Sequence, residues 1–229
     1  MSRPRAWMSW SSGKDSAWAL DALRTQGEVE VIGLLTTVNQ VADRVAMHGV
    51  RRQLLEAQAA RVGLALHVVE LPSPCSNEAY QQRMAAAVEA ALGEGVSRMA
   101  FGDLFLADVR AYREAMLAGT GIEPLFPLWG RPTRDLAGEM VRGGLRAVVT
   151  CVDPAQAPAR LAGRWYDHDL LSELPAGVDP CGENGELHTF VVDGPGFSSP
   201  VEVVAGEAVE RDGFVFADLL PAGRGPLPG

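Results

Sequence analysis

Up to about residue 152 the apolar residues of this chain fall into two alternating rhythms. Short runs rich in β-branched or large apolar side chains, each bounded by turn formers, predict strands over 6–10, 29–38, 64–71, 98–102 and 145–152. Between them, helices are predicted over 16–26, 50–62, 77–92, 108–117 and 134–142. In the second of these, Val50, Leu54, Ala57 and Arg61 recur at helical spacing, and only the last is polar. Asn77 and Asp108 suit helix starts, while Gly27, Gly63, Gly93 and Gly143 stand where helices should stop.

Five strands alternating with five helices predict an α/β fold: a parallel sheet of five or more strands with helices on both faces. Ligands bind at the carboxyl ends of the strands in such sheets. That rule singles out 11–16, Thr36, Thr37, Gly102, Asp103 and Asp153 before any motif is considered. After about residue 155 prolines and glycines become dense. An acidic, turn-rich loop at 179–186 precedes short strands predicted at 187–192, 201–204 and 214–219. The expected organisation is an α/β domain over 1–155, a smaller C-terminal α+β lobe over 156–222 and a flexible tail over 223–229.

Composition narrows the partners. Hydrophobic residues make up 47% of 229 residues, enough for a sizeable core, and the formal net charge is −9. Such a balance argues against DNA as a partner and disfavours RNA, because neutralising many phosphates needs a basic surface. No apolar stretch reaches the roughly 18 residues of a membrane span, and the basic N-terminus leads into too short an apolar run for a signal peptide. Cys75, Cys151 and Cys181 are far apart and form no Cys-x-x-Cys pair, which argues against a disulfide framework or a zinc site. A reducing cytoplasm is the expected location.

Of 20 lysines and arginines only one, Lys14, is a lysine. It sits in Ser-Ser-Gly-Lys-Asp-Ser, Ser11 to Ser16, directly after the first predicted strand and before a helix. A compact ammonium at a helix N-terminus, among small residues, suits phosphate binding. The spacing excludes a Walker A loop, since Met8 stands where its first glycine belongs and Asp15 follows the lysine. It also excludes the Gly-x-Gly-x-x-Gly dinucleotide turn. It does fit the Ser-Gly-Gly-x-Asp-Ser loop of the ATP pyrophosphatases, the PP-loop enzymes, with Ser12 in place of the first glycine.

Two further blocks extend the match. Phe101-Gly102-Asp103 is followed by Arg110, Glu114 and the run from Pro124 to Trp129, and Cys181-Gly182-Glu183-Asn184-Gly185-Glu186-Leu187-His188-Thr189 continues to Asp193-Gly194-Pro195. Together these resemble the diphthine–ammonia ligase family, a branch of the PP-loop enzymes, over roughly residues 6–205. The resemblance implies an adenine nucleotide alpha-hydrolase-like sheet followed by a substrate-binding lobe. It implies an ATP-dependent ligase in which a substrate carboxylate is adenylated, pyrophosphate leaves and ammonia displaces AMP to form an amide. ATP and Mg²⁺ are then the expected cofactors, with a carboxylate-bearing acceptor, a small molecule or a protein side chain such as diphthine on elongation factor 2. A homodimer is compatible with this reading.

Transferred to this chain, Ser11, Ser12, Gly13, Lys14, Asp15 and Ser16, with Thr36 and Gly102, are expected to bind the nucleotide. Asp15 and Asp103 are expected to hold Mg²⁺, and Lys14, Asp103, Glu183 and Glu186 to serve catalysis. A carboxylate near the attacking amine could accept its proton, and either glutamate could do so. His48 is open between substrate contact and surface; His67 and His168 read as structural and surface residues. Packing is the expectation for Trp129, Arg131 is expected to border the pocket, and Cys181 lacks the basic surroundings of a nucleophile. Two other readings are a nucleotide-binding regulator without turnover and a tRNA-modifying PP-loop enzyme. The intact Lys14-Asp15-Ser16 set opposes the first, and the negative charge and missing cysteine pairs oppose the second.

Overall fold

The structure, a computed structural model, describes residues 2–45 and 48–222. The tail expected over 223–229 lies outside the described residues. The chain runs through β1 (Arg5–Ser9), α1 (Lys14–Gln26), β2 (Glu30–Asn39), β3 (Arg44–Val45), α2 (Arg52–Val62) and β4 (Ala65–Leu71). It continues through α3 (Asn77–Gly93), β5 (Val96–Ala100), α4 (Ala107–Leu117), β6 (Glu123–Leu125), α5 (Thr133–Arg142) and β7 (Arg146–Val152). A 3₁₀ turn (Ala159–Leu161), α6 (His168–Glu173), β8 (Leu187–Asp193), β9 (Val203–Arg211) and β10 (Phe214–Pro221) complete it.

The α/β expectation holds. β4, β2, β1, β5 and β6 lie side by side and parallel, and β3 adds a short antiparallel pairing to the end of β2. Strand order reverses between β1 and β5, so the crevice beyond their carboxyl ends is the topological switch point where α/β sheets bind ligands. The middle of β1, Ala6 to Met8, is apolar without alternation because both of its faces are buried. Met8 points into a core shared with α1 and α2, while its neighbour Trp7 joins a second core with residues of α3. A strand buried on both faces needs a continuous apolar run rather than alternation.

The predicted strand at 145–152 forms, but not where expected. As β7 it pairs antiparallel with β8 and β10 in a separate four-stranded sheet, ordered β8-β7-β10-β9. The fifth parallel strand is instead β6, a three-residue edge containing Pro124, too short and too polar at Glu123 to register as an apolar run. Proline is tolerated there because an edge strand can spare one donor. The strand expected at 201–204 begins at Val203 and extends to Arg211.

Helix boundaries follow local chemistry. Gly27 and Gly63 end α1 and α2 in the left-handed conformation, with φ of 67° and 71°. Asn77 is the first residue of α3 rather than its cap: the Ser76 hydroxyl accepts from the Ala79 N–H at 3.1 Å. Asp108 lies in the first turn of α4, two residues after the N-cap Leu106. The second sheet is clasped to the first domain by Asp218 of β10, which accepts from Arg44 at 2.8 Å and from Arg51 at 2.5 Å. Burial raises the Asp218 pKa, yet these two guanidinium groups hold it down at about 2. Among the described residues no helix is long and apolar enough to cross a membrane.

Candidate active site

The loop after β1 is set by contacts on three sides. Ser12 adopts φ of 69°, a conformation that costs a non-glycine residue roughly 1 kcal/mol or more. Its carbonyl accepts from Val191 N–H of β8 and from Gln58 Nε2 of α2, both at 3.0 Å. Gln58 is fully buried; its Oε1 accepts from Trp10 Nε1 at 3.0 Å and its Nε2 also donates to the Val191 carbonyl at 2.6 Å. One amide side chain thus ties the loop, the helix behind it and the second sheet together. At Gly13 a Cβ would stand 2.8 Å from His48 Cε1 and 3.3 Å from the Thr189 carbonyl, so the tight packing there admits only glycine without rearrangement.

Gly13 provides no side-chain cap for α1, and apart from the Lys14 N–H, which Thr189 engages, the first turn presents its N–H groups to an anion. The Ser16 hydroxyl donates to the Gly13 carbonyl at 2.9 Å and lies 3.2 Å from the Ser11 hydroxyl. Lys14 is 1% exposed. Its backbone N–H donates to Thr189 Oγ1 at 3.1 Å, and its Nζ donates to both Asp15 carboxylate oxygens, at 2.8 and 3.1 Å, and to the Cys181 carbonyl. Burial lowers the Lys14 pKa, but Asp15, Cys181 and Glu183 together outweigh it and hold the pKa above its ordinary value.

The opposite wall comes from the end of β5 and from the acidic loop before β8. Gly102 passes so close to α1 that a Cβ would meet the Asp15 carbonyl carbon at 2.9 Å and the Ser16 nitrogen at 3.0 Å. Both are backbone atoms that cannot swing away. Burial raises the Asp103 pKa, and Arg113 on α4 opposes the shift. Glu183 Oε1 accepts from the Leu104 N–H at 2.7 Å. Burial pushes its carboxyl up to about 7; the N–H bonds pull it down, and the Asp15 and Asp103 charges add to the rise.

These residues enclose a cavity of about 500 Å³ lined by Ser11, Lys14, Asp15, Ser16, Thr36, Gly102, Asp103 and Glu183. Ser12 and Gly13 stand behind it as its backbone support. Glu186 does not line it. Its carboxylate is 2% exposed and accepts from the N–H groups of Asp179 and Asn184, each at 3.0 Å, and from Asn184 Nδ2 at 2.9 Å. The two glutamates therefore divide: Glu183 faces the cavity, and Glu186 braces the loop that carries it.

Asp153 ends β7 in the other sheet, away from the cavity, where its carboxylate accepts from the Ala155 N–H and Gln156 Nε2 at 2.9 and 2.7 Å. Trp129 packs edge-on against Phe126 beside Arg110, and Arg131 pairs with Glu139; neither lines the cavity. The Cys181 thiol is pushed up to about 12 by burial, consistent with no nucleophilic role.

Three lining groups carried little signal in the sequence. His48 Nδ1 lies 3.1 Å from the Thr189 carbonyl, and its ring centroid is 4.7 Å from that of His188. Burial pushes His48 down to about 4 and His188 to about 3, so both are neutral near pH 7. Arg113 lines the far side. His188 lies within a recognisable block, but His48 and Arg113 sit where only the fold brings them to the cavity.

Among the described residues no cluster of three or more histidine, cysteine or carboxylate side chains is arranged to hold a metal ion unaided. Asp15 and Asp103 both line the cavity, and Mg²⁺ is usually held by one or two carboxylates acting together with substrate phosphates.

Residues 5–124 match the diphthamide synthase N-terminal domain, and residues 132–217 match the diphthamide synthase C-terminal domain. The chain is 32% identical over 132 residues to a Rattus norvegicus diphthine–ammonia ligase, covering 55% of this chain and 48% of that protein. It is 31% identical over 122 residues to the Danio rerio diphthine–ammonia ligase, covering 50% and 47% respectively. It therefore spans about half the length of these curated relatives.

Proposed function

Because the chain belongs to the diphthamide synthase family, we propose that it is an ATP-dependent ligase that activates a carboxylate and converts it to an amide. The observation that carries this reading is the lone lysine, buried and charged at the uncapped start of α1, with Glu183 facing it from the second lobe across one cavity.

In this reading the Ser11 and Ser16 hydroxyls and the first-turn N–H groups of α1 hold the β- and γ-phosphates of ATP. Lys14 offsets the charge that grows on the departing pyrophosphate. Asp15 and Asp103 would hold Mg²⁺, which when bound supplies further neutralisation of the phosphates. A carboxylate oxygen of the acceptor forms a bond to the α-phosphorus as the bond from that phosphorus to the bridging oxygen breaks. The electron pair leaves with pyrophosphate. The ammonia nitrogen then bonds to the acyl carbon, the bond from that carbon to the AMP oxygen breaks, and the surplus proton on nitrogen passes to Glu183. With its pKa at about 7, that carboxylate is poised to accept a proton near neutrality.

Diphthine is the acceptor that the relatives' names carry. The test is to incubate the protein with α-labelled ATP, Mg²⁺, ammonium and diphthine-bearing elongation factor 2 or a pool of small carboxylates. Label is expected in AMP, with stoichiometric pyrophosphate. Label in ADP would instead identify kinase chemistry and remove the adenylation step.

A further inference from the structure

Two cations line the cavity, Lys14 and Arg113, and their states differ. Lys14 is committed to Asp15 and the Cys181 carbonyl. Arg113, in the second half of α4, makes no hydrogen bond among the described residues. Its Nε is screened from solvent without an acceptor. Arg113 forms an ion pair with Asp103, whose Oδ2 lies 3.6 Å from that nitrogen, too far for a hydrogen bond, so both atoms are buried without a hydrogen-bond partner. The guanidinium carbon lies 5.0 Å from the centre of the Phe101 ring, a contact that holds the group in place and accepts none of its N–H bonds.

Around the same space stand Asp15, Asp103 and Glu183. An anionic acceptor entering among three carboxylates needs a cation whose N–H donors are still unused, and the ion pair with Asp103 leaves those of Arg113 without an acceptor in hydrogen-bond reach. A guanidinium suits a carboxylate because two parallel N–H donors match its two oxygens. The phosphates have their own donors on α1, whereas Arg113 stands on α4, beyond Asp103. Building on the ligase reading above, we propose that Arg113 is the residue that receives the acceptor's carboxylate and selects it over a neutral amide. An amide offers one oxygen in place of two and no charge, so it leaves the guanidinium under-satisfied. The ligase's own product would be released for that reason.

The test uses the full chain saturated with Mg²⁺ and α,β-methylene ATP, an analogue that cannot release pyrophosphate. Calorimetry compares straight-chain monocarboxylates from acetate to hexanoate with their matching amides. The wild type is expected to prefer at least one carboxylate over its amide tenfold or more. Arg113→Gln should reduce the preference to within twofold, and Arg113→Lys, which keeps charge but loses the fork, should retain part of it. Melting temperatures check that each variant is folded; if Arg113→Gln is not, the drop from wild type to Arg113→Lys carries the comparison. No carboxylate preference in the wild type, or an undiminished one in the variants, overturns the proposal. So does a tenfold weaker analogue affinity in Arg113→Gln with the preference intact, which would assign the arginine to the nucleotide. Failure of the wild type to bind the analogue at all would instead count against the PP-loop reading.

Discussion

The backbone N–H of Lys14, at the first turn of α1, donates to the hydroxyl of Thr189 on β8 across a sequence gap of 175 residues. That bond, with the one from Val191 N–H to the Ser12 carbonyl, means that the second sheet sets the shape of the phosphate loop. Binding at the loop and the position of the Glu183 loop are thereby mechanically linked.

Thr189→Val keeps the shape of that side chain and removes the acceptor. A buried N–H left without a partner costs about 1–3 kcal/mol. The expected outcome is a lower unfolding midpoint together with ATP affinity reduced severalfold, read by denaturation and calorimetry. An unchanged midpoint would mean that the bond contributes nothing to the loop.

Lys14→Met removes the buried charge while roughly preserving its length. ATP affinity is expected to fall more than tenfold, measured by equilibrium binding. Asp15 loses the charge that pairs with it, so the melting temperature should also drop. Affinity within a fewfold of wild type would show that the lysine does not meet the phosphates.

Glu183 titrates in the opposite sense to a salt-bridged acid. Its folded pKa, about 7, lies above the ordinary 4.5, so the folded state holds the proton more tightly than the unfolded chain. Stability contributed by this group is present below about 4.5 and is lost as pH rises through 7. The proposed base function runs the other way, gained as the carboxylate forms. Hydroxamate formation with hydroxylamine as nucleophile should rise through pH 7 in the wild type and lie flat and low in Glu183→Gln. A wild-type profile without an inflection between pH 6 and 8 would exclude Glu183 as the base.

Ser12→Gly places the residue that tolerates positive φ at the position where φ is 69°, and removes a buried hydroxyl without a partner. Relief of the backbone strain outweighs the added freedom of the unfolded chain. The variant is expected to be more stable by about 1 kcal/mol, seen as a higher denaturation midpoint. A destabilised variant would show that the serine hydroxyl has a role in the loop.

Much of this molecule was legible in its sequence because much of it is decided locally. Apolar runs of strand length, helical spacing and glycines able to take positive φ at Gly27 and Gly63 depend on residues near one another in the chain. So does the phosphate loop, where a small-residue turn between a strand and a helix creates an anion site whatever surrounds it. The blocks around Gly102 and Glu183 were visible as residue types in order.

What the sequence could not decide was which surfaces meet. The apolar run of β7 suits a parallel or an antiparallel neighbour equally well, and only packing against β8 and β10 assigns it to the second sheet. β6 becomes the fifth parallel strand because β5 offers a free edge, not because Glu-Pro-Leu favours extension. Glu183 and Glu186 are chemically the same and three residues apart; the backbone turn at 182–185 directs one carboxylate to the cavity and the other to the loop's own N–H groups. His48 and Arg113 join the site only because α1, α4 and β8 converge there. Propensity and spacing act within a few residues, whereas the environment that sets a side chain's charge and partners is built by segments far apart in the chain.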